Sequence, residues 1–285
     1  METKWVEEFF QFLEVEKSAS PNTVSAYRAD LTQFASTTDA KRRSWREVRL
    51  KDARAFIETL QKAGYKDATV ARKIAAIKSF FHFLTAEGLV SQNPMEELLT
   101  PHVTRILPRS LSPEELGRLF QQSAQQQTPE GQRNKVMVTL LCATGLRVTE
   151  LVSLDLGDLD LRTEPASVRC LGNGGRDRNL ALNTAVTEAM REYITQIRPR
   201  LVRKGGEPAL FTNHRGERLT RQGLWLILKN YASRAGLDKK VTVHTLRHTY
   251  ARQMLDGGEP LETVQKALGH ASKSTTAHYQ ELVPA

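Results

Sequence analysis

The chain has 285 residues, enough to bury a sizeable core and to form two domains. Its 41 Lys and Arg outnumber 32 Asp and Glu, and the net charge of +9 points to a polyanionic partner. The two cysteines, Cys142 and Cys170, lack CxxC spacing, which argues against a disulfide framework or a structural zinc site and fits a reducing cytosol.

The first ten residues, "METKWVEEFF", are acidic and carry no apolar signal-peptide core. The longest apolar run, "VMVTLLCATGL" at 136–146, is too short to span a bilayer. A cytoplasmic protein without membrane contact is expected. Charge is unevenly placed: residues 1–40 hold three Lys and Arg against seven Asp and Glu, whereas residues 41–78 hold twelve against four. The second stretch reads as a surface facing nucleic acid, with Arg42, Arg43, Arg72 and Lys73 as candidate contacts.

Short helices follow one another over the first hundred residues. "SPNTVSAYRADLTQF" opens with Ser20 as N-cap and Pro21 at the first helical position, and Val24, Tyr27, Leu31 and Phe34 recur at helical spacing. "DATVARKIAAIKSFFHFLTAEGL" runs from Asp67 to Gly88 with Val70, Ile74, Ile77, Phe80, Phe81 and Leu84 on one stripe. Arg72, Lys73 and Lys78 read as lying largely off that stripe, open to a partner. Pro94, Pro101, Pro108 and Pro113 then interrupt helix formation. The expected division is a helical domain over 1–98, a linker over 99–110 and a second domain over 111–285.

The second domain is expected to be mostly helical, with helices near 184–198, 220–234, 244–256 and 260–268. "ASVRCLG" and "RDRNLAL" alternate polar with apolar residues around Asn173-Gly174, which signals a β-hairpin. The fold class is therefore mainly α with a small β-hairpin or sheet. The glycines at 172, 174 and 175 form neither a dinucleotide fingerprint nor a Walker loop, because the third glycine and the Gly-Lys-Ser/Thr ending are missing. Arg176 and Arg178 suggest that the hairpin leans on phosphates.

Three further segments carry chemistry. "CATGLRVTEL" places Arg147 after a Thr-Gly break with Glu150 three residues on, in position to hold its guanidinium. "VHTLRHTYARQML" puts His244 and Arg247 on one helix face, and His244 with His248 lacks the glutamate of a zinc-binding HExxH motif. "LGHASKSTTAHYQEL" adds His270 and Tyr279. Arginine forks can clamp the non-bridging oxygens of a phosphate, histidine can move a proton, and tyrosine can form a covalent phosphotyrosyl bond. Such a set needs no metal and no cofactor.

In type, order and spacing, "ATGLRVTEL", "HTLRHTYA" and "LGHASKSTTAHY" resemble the three signature segments of the tyrosine recombinase (phage integrase) family. "SPNTVSAYRADL" and "RKIAAIKSFFHFL…NP" are similar to the helical core-binding domain of its Xer-like members. The resemblance implies a catalytic domain that cuts and rejoins double-stranded DNA at specific sites, within a homo- or hetero-tetramer, in dimer resolution or mobile-element recombination. It makes Arg147 and Arg247 phosphate clamps, His244 a proton carrier, His270 a hydrogen-bonding partner of the scissile phosphate, Tyr279 the nucleophile and Glu150 a support behind them.

Two hairpin positions depart from the family pattern G-K-G-x-K-x-R, Asn173 and Arg176 standing where it has lysines. A lysine that protonates the leaving 5′-oxygen is expected in the hairpin, and Asn173 stands there; no lysine occurs between Val136 and Arg203. A slowed enzyme is one consequence. A catalytically silent DNA-binding partner of the same fold is the other, while a type IB topoisomerase-like enzyme would share the chemistry without paired sites. Asn173→Lys is expected to raise the rate of covalent adduct formation, by up to about 10²–10⁴, the usual contribution of a general acid. A gel assay that shows an unchanged or lower rate would contradict this placement of the hairpin.

Overall fold

A computed structural model describes residues 2–17, 19–37, 44–101, 109–171, 177–203, 205–238 and 241–269. Arg42, Arg43, Asn173, Arg176, His270 and Tyr279 lie outside the described residues. The chain divides into two compact units, Met1–Ile106 and Leu107–Ala285, and most of the expected linker falls at 102–108, also outside the description.

The first unit contains α1 (Thr3–Val15), α2 (Pro21–Thr37), α3 (Leu50–Lys62) and α4 (Asp67–Ala86). Ser20 Oγ accepts the Thr23 amide at 3.1 Å, so the start of α2 is capped by the residue its sequence suggests. The core is aromatic: Phe9, Phe10, Phe34, Trp45, Phe56, Phe80 and Phe81 are all buried. Trp45 meets Phe80 edge-on with ring centroids 4.7 Å apart, and Phe34 meets Phe56 at 5.2 Å. The whole α4 stripe, Val70, Ile74, Ile77, Phe80, Phe81 and Leu84, is buried among these rings.

Lys73 corrects the expectation drawn for it, whereas Arg72 is exposed as expected. Lys73 is only 6 % exposed, and its Nζ donates to Asp30 Oδ1 at 2.7 Å and to Gln33 Oε1 at 2.6 Å. At 100° per residue, position 73 falls on the flank of the stripe that runs through 70 and 77, facing α2. Arg72 Nη1 also binds Asp30 while remaining partly exposed, and Lys78 Nζ donates to the Leu98 carbonyl at 2.9 Å. Lys73 is thus a buried ion-pair partner of Asp30.

The second unit contains α5 (Pro113–Ala124), α6 (Pro129–Thr144), α7 (Val148–Ser153), β1 (Leu159–Asp160), β2 (Ser167–Cys170), β3 (Arg178–Ala181), α8 (Thr184–Glu192), α9 (Arg221–Arg234), α10 (Val243–Asp256) and α11 (Leu261–Leu268). Ser112 and Glu115 form a reciprocal capping box at the start of α5, next to Pro113. Apolar α6 is the centre of the unit and packs against α5, α8 and α10. The sheet is antiparallel in the order β1-β2-β3, so the expected hairpin gains a third, two-residue strand. Val168 pairs with Leu180 and Cys170 with Arg178, so Val168, Cys170 and Leu180 share the buried face.

The helix expected over 184–198 is regular only to Glu192. A wider turn over Tyr193–Ile197 follows, then a tight one at Arg198–Arg200, where Pro199 prevents continuation. The wide turn keeps Tyr193 buried, with its hydroxyl donating to the Leu210 carbonyl at 2.9 Å. Among the described residues no helix is long and apolar enough to cross a membrane.

Removing Lys73 leaves buried Asp30 with the exposed Arg72 as its remaining partner, a poorer match for a carboxylate at the core edge. Lys73→Ala is expected to cost about 3 kcal/mol in urea unfolding of the full chain. A loss well under 1 kcal/mol would mean that Arg72 and solvent compensate Asp30.

Candidate active site

The site is assembled at the C-terminal end of α11. The last carbonyls of a helix have no intrahelical partner and carry the negative end of its dipole. Three arginines from three different elements supply the donors. Arg178, at the start of β3, donates from Nε to the Ala267 carbonyl at 2.8 Å. Arg247, on α10, donates from Nη2 to the Leu268 carbonyl, and Arg147, just before α7, donates from Nη2 to the Gly269 carbonyl at 2.9 Å.

Two glycines make the close packing possible. Gly145 ends α6 with φ +61°, and a side chain there would approach Tyr250 Cδ1 to 2.5 Å. Its carbonyl accepts Arg247 Nη1 at 2.7 Å, so the tight exit from α6 also fixes the buried guanidinium of α10. Gly269 has the same φ, and a Cβ there would lie 2.9 Å from Arg178 Nη1. Both positions need a residue that adopts the left-handed conformation and has no side chain.

Glu150 is the shared counterion. Its Oε1 accepts Arg147 Nη1 at 2.7 Å and Arg178 Nη1 at 2.9 Å; its Oε2 accepts the Arg147 amide at 2.7 Å and Arg178 Nη2 at 2.9 Å. Burial alone would raise this carboxyl, but the hydrogen bonds from Arg178 and the Arg147 amide, with the charges of both arginines, hold it down at about 2. Three guanidiniums against one carboxylate leave an excess of two positive charges. That excess suits a phosphodiester, which gains negative charge as it is attacked.

Arg247 is 4 % exposed, while the Arg147 side chain keeps about a third of its surface open. His244, one helical turn before Arg247, lies at the surface near the start of α10, whose N-cap is Thr242. Burial of its ring atoms, then the positive charges of Arg247 and Arg147, lower the His244 pKa from its ordinary value, so at neutral pH it is a neutral proton acceptor. His248 is lowered further, to about 4, by burial and then by His244 and Arg247.

Of the residues expected to act together, Arg147, Glu150, His244 and Arg247 are brought to one place. Arg178 is the correction: its side chain is only 10 % exposed and is committed to Glu150 and Ala267, so it supports the site instead of presenting a phosphate contact. The signal was available in the alternation of β3. Arg178 shares its face with Leu180, which is buried, and is paired across the strand with buried Cys170.

This helical unit with its small antiparallel sheet, and the separate helical unit before it, match known proteins over most of the chain. The sequence matches the model of the phage integrase family over residues 109–284 and that of the phage integrase N-terminal SAM-like domain over residues 6–88. The chain belongs to the phage integrase family of tyrosine recombinases, enzymes that cut and rejoin DNA in site-specific recombination.

Within the family the likeness is to the Xer recombinases. The chain is 45% identical over 275 residues to tyrosine recombinase XerC of Herpetosiphon aurantiacus, covering 96% of this chain and 89% of the relative. It is 40% identical over 284 residues to XerD of Oceanobacillus iheyensis, covering 98% and 94%. The crystal structure of XerA recombinase aligns with a TM-score of 0.53 at 27% identity, covering 97% of this chain and 92% of that one. XerH bound to palindromic difH substrate in a post-cleavage complex shares the fold, with a TM-score of 0.77 at 21% identity over 97% and 81%.

Two pH windows follow from the site. Between about pH 6.5 and pH 4 the unfolded chain binds a proton at His248 that the folded chain excludes, so stability falls as pH drops through that range. From about pH 4.5 toward pH 2, protonation of Glu150 removes a further stabilising contribution. Denaturant midpoints at pH 5 and pH 7 are expected to differ by less in His248→Asn than in the unsubstituted chain. Equal slopes would show that His248 is protonated in the fold as readily as outside it.

Proposed function

We propose that this chain acts on double-stranded DNA carrying specific recombination sites and cuts it through a 3′-phosphotyrosyl intermediate on Tyr279. The observation that carries this reading is the convergence of Arg147 and Arg247 on one end of α11, next in sequence to His270, with an excess of positive charge. XerH, which shares this fold, is seen bound to its palindromic difH substrate, which supports a DNA partner for this chain.

In this mechanism the two guanidiniums hold the non-bridging oxygens of the scissile phosphate, and His270 adds a hydrogen bond. The Tyr279 hydroxyl attacks phosphorus in line and passes its proton to neutral His244. A bond from phosphorus to the tyrosine oxygen forms, the bond to the 5′-oxygen breaks, and that oxygen leaves as a hydroxyl after gaining a proton. Religation reverses the sequence with a 5′-hydroxyl from a second strand. Exchange of two strands at two sites requires several protomers on the DNA, hence a homo- or hetero-tetramer, and a cytoplasmic setting where chromosomal DNA is reached.

Asn173 favours a second reading. An asparagine cannot usefully protonate a leaving alkoxide, and Arg176 holds its proton too tightly to replace a lysine. A chain that binds its site and supports an active partner, without cutting at a useful rate, follows from that one residue.

The test is a nicked suicide duplex carrying a site selected from random-sequence DNA, resolved on denaturing gels. Covalent adduct is expected with the unsubstituted chain and none with Tyr279→Phe, whose affinity for the duplex stays within about threefold because only a hydroxyl is removed. Adduct that persists in Tyr279→Phe would overturn the nucleophile assignment. Tight binding without any adduct would favour the silent partner.

A further inference from the structure

We infer that Arg178 is a positioning residue for strand cleavage, tying the base of the β2–β3 hairpin to the point at which the chain leaves α11 toward His270 and Tyr279. This rests on the proposed nucleophile and gives a role to the arginine that closes the hairpin segment.

Its guanidinium spans three pieces of chain. The two outer nitrogens form a parallel pair of bonds to the two Glu150 oxygens, both at 2.9 Å, and Nε reaches the Ala267 carbonyl at 2.8 Å. Such a planar, two-point pair fixes orientation as well as distance, which a lysine ammonium cannot reproduce. The same group packs against Gly269 closely enough that a Cβ there would lie 2.9 Å away. Gly269 directly precedes His270 in the chain, and Arg178 is two residues from Arg176 and five from Asn173.

The consequence is mechanical. Helix α11 has eight residues; its buried Val264 and Leu268 join a small apolar cluster with Ala251, and only the half-buried Ala267 packs against the main core. A helix so short has little stability of its own, so its end is located by what holds it. Arg247 and Arg147 hold the last two carbonyls but are the groups that must also meet the phosphate. Arg178 holds the third, is nearly closed to solvent, and through Glu150 fixes the guanidinium of Arg147. Displacement of the hairpin is thereby passed to the α11 end and to the first phosphate clamp together. Misplacing a reacting group by an ångström costs roughly a hundredfold in rate, so loss of this anchor shows in cleavage and not in binding.

The decisive comparison uses Arg178→Gln, Arg178→Lys and the unsubstituted chain on the nicked suicide duplex described above. The expected result is a fall of about tenfold to a hundredfold in the single-turnover rate of adduct formation with Arg178→Gln, while the dissociation constant for the duplex stays within about threefold. Arg178→Lys keeps the charge and recovers only part of the rate. A duplex whose scissile 5′-oxygen is replaced by sulfur supplies the second readout, because a thiolate leaves without needing a proton. The Arg178→Gln defect persists on that duplex if the residue positions the nucleophile's segment.

A defect that vanishes with the sulfur leaving group would overturn the inference and move the role of Arg178 to leaving-group protonation. Parallel loss of binding and rate would reduce it to a DNA contact or to general folding. Amide hydrogen exchange judges the tie without activity: Arg178→Gln is expected to speed exchange over residues 266–269 while leaving α6 protected. Unchanged exchange there overturns the tie. Absence of adduct in the unsubstituted chain would instead defeat the proposed function, with the exchange result still deciding the role of Arg178.

Discussion

Three guanidiniums gathered around one helix end would repel one another strongly in a half-buried site, and the architecture of the second unit is organised around preventing that. At short separations and reduced dielectric, like charges cost several kcal/mol, so they persist only where fixed acceptors face them. The acceptors here are the final carbonyls of α11 and the Glu150 carboxylate. Backbone oxygens neutralise hydrogen-bonding demand without cancelling charge. The site therefore stays electropositive while each described guanidinium is held in a defined orientation, the preorganisation that anion recognition and phosphoryl transfer require.

The surrounding elements follow from that arrangement. Gly145 lets α6 end abruptly enough for its carbonyl to reach Arg247, and the αL turn at Gly269 lets the end of α11 meet Arg178. The three-stranded sheet sets Arg178 on its core face through pairing with buried Cys170. Burial, and then the charges of Arg247 and Arg147, lower the proton affinity of His244 at the start of α10. Arg147 and Arg247 are thus both held at the end of α11.

Much of this was legible in the sequence because it rests on local rules. The capping residue Ser20, the apolar stripe of α4 and the Arg147–Glu150 spacing depend on neighbours within four residues. What was not legible depends on partners far along the chain. Lys73 lies at the margin of its stripe, and only Asp30 on α2 decides that it turns inward. The strand β1 has two residues, too few to show alternation. Arg178 was read by its charge when its strand parity with Leu180 marked it as inward-facing, and its acceptors, Glu150 and Ala267, are 28 and 89 positions away.

The most direct test is a structure of the full chain bound to an uncleaved duplex carrying its selected site. The account predicts that Arg147 and Arg247 lie against the two non-bridging oxygens of the scissile phosphate, while Arg178 keeps both Glu150 oxygens and the Ala267 carbonyl. A complex in which Arg178 leaves Glu150 to bind a phosphate, or in which Arg147 and Arg247 remain directed away from the DNA, would contradict it.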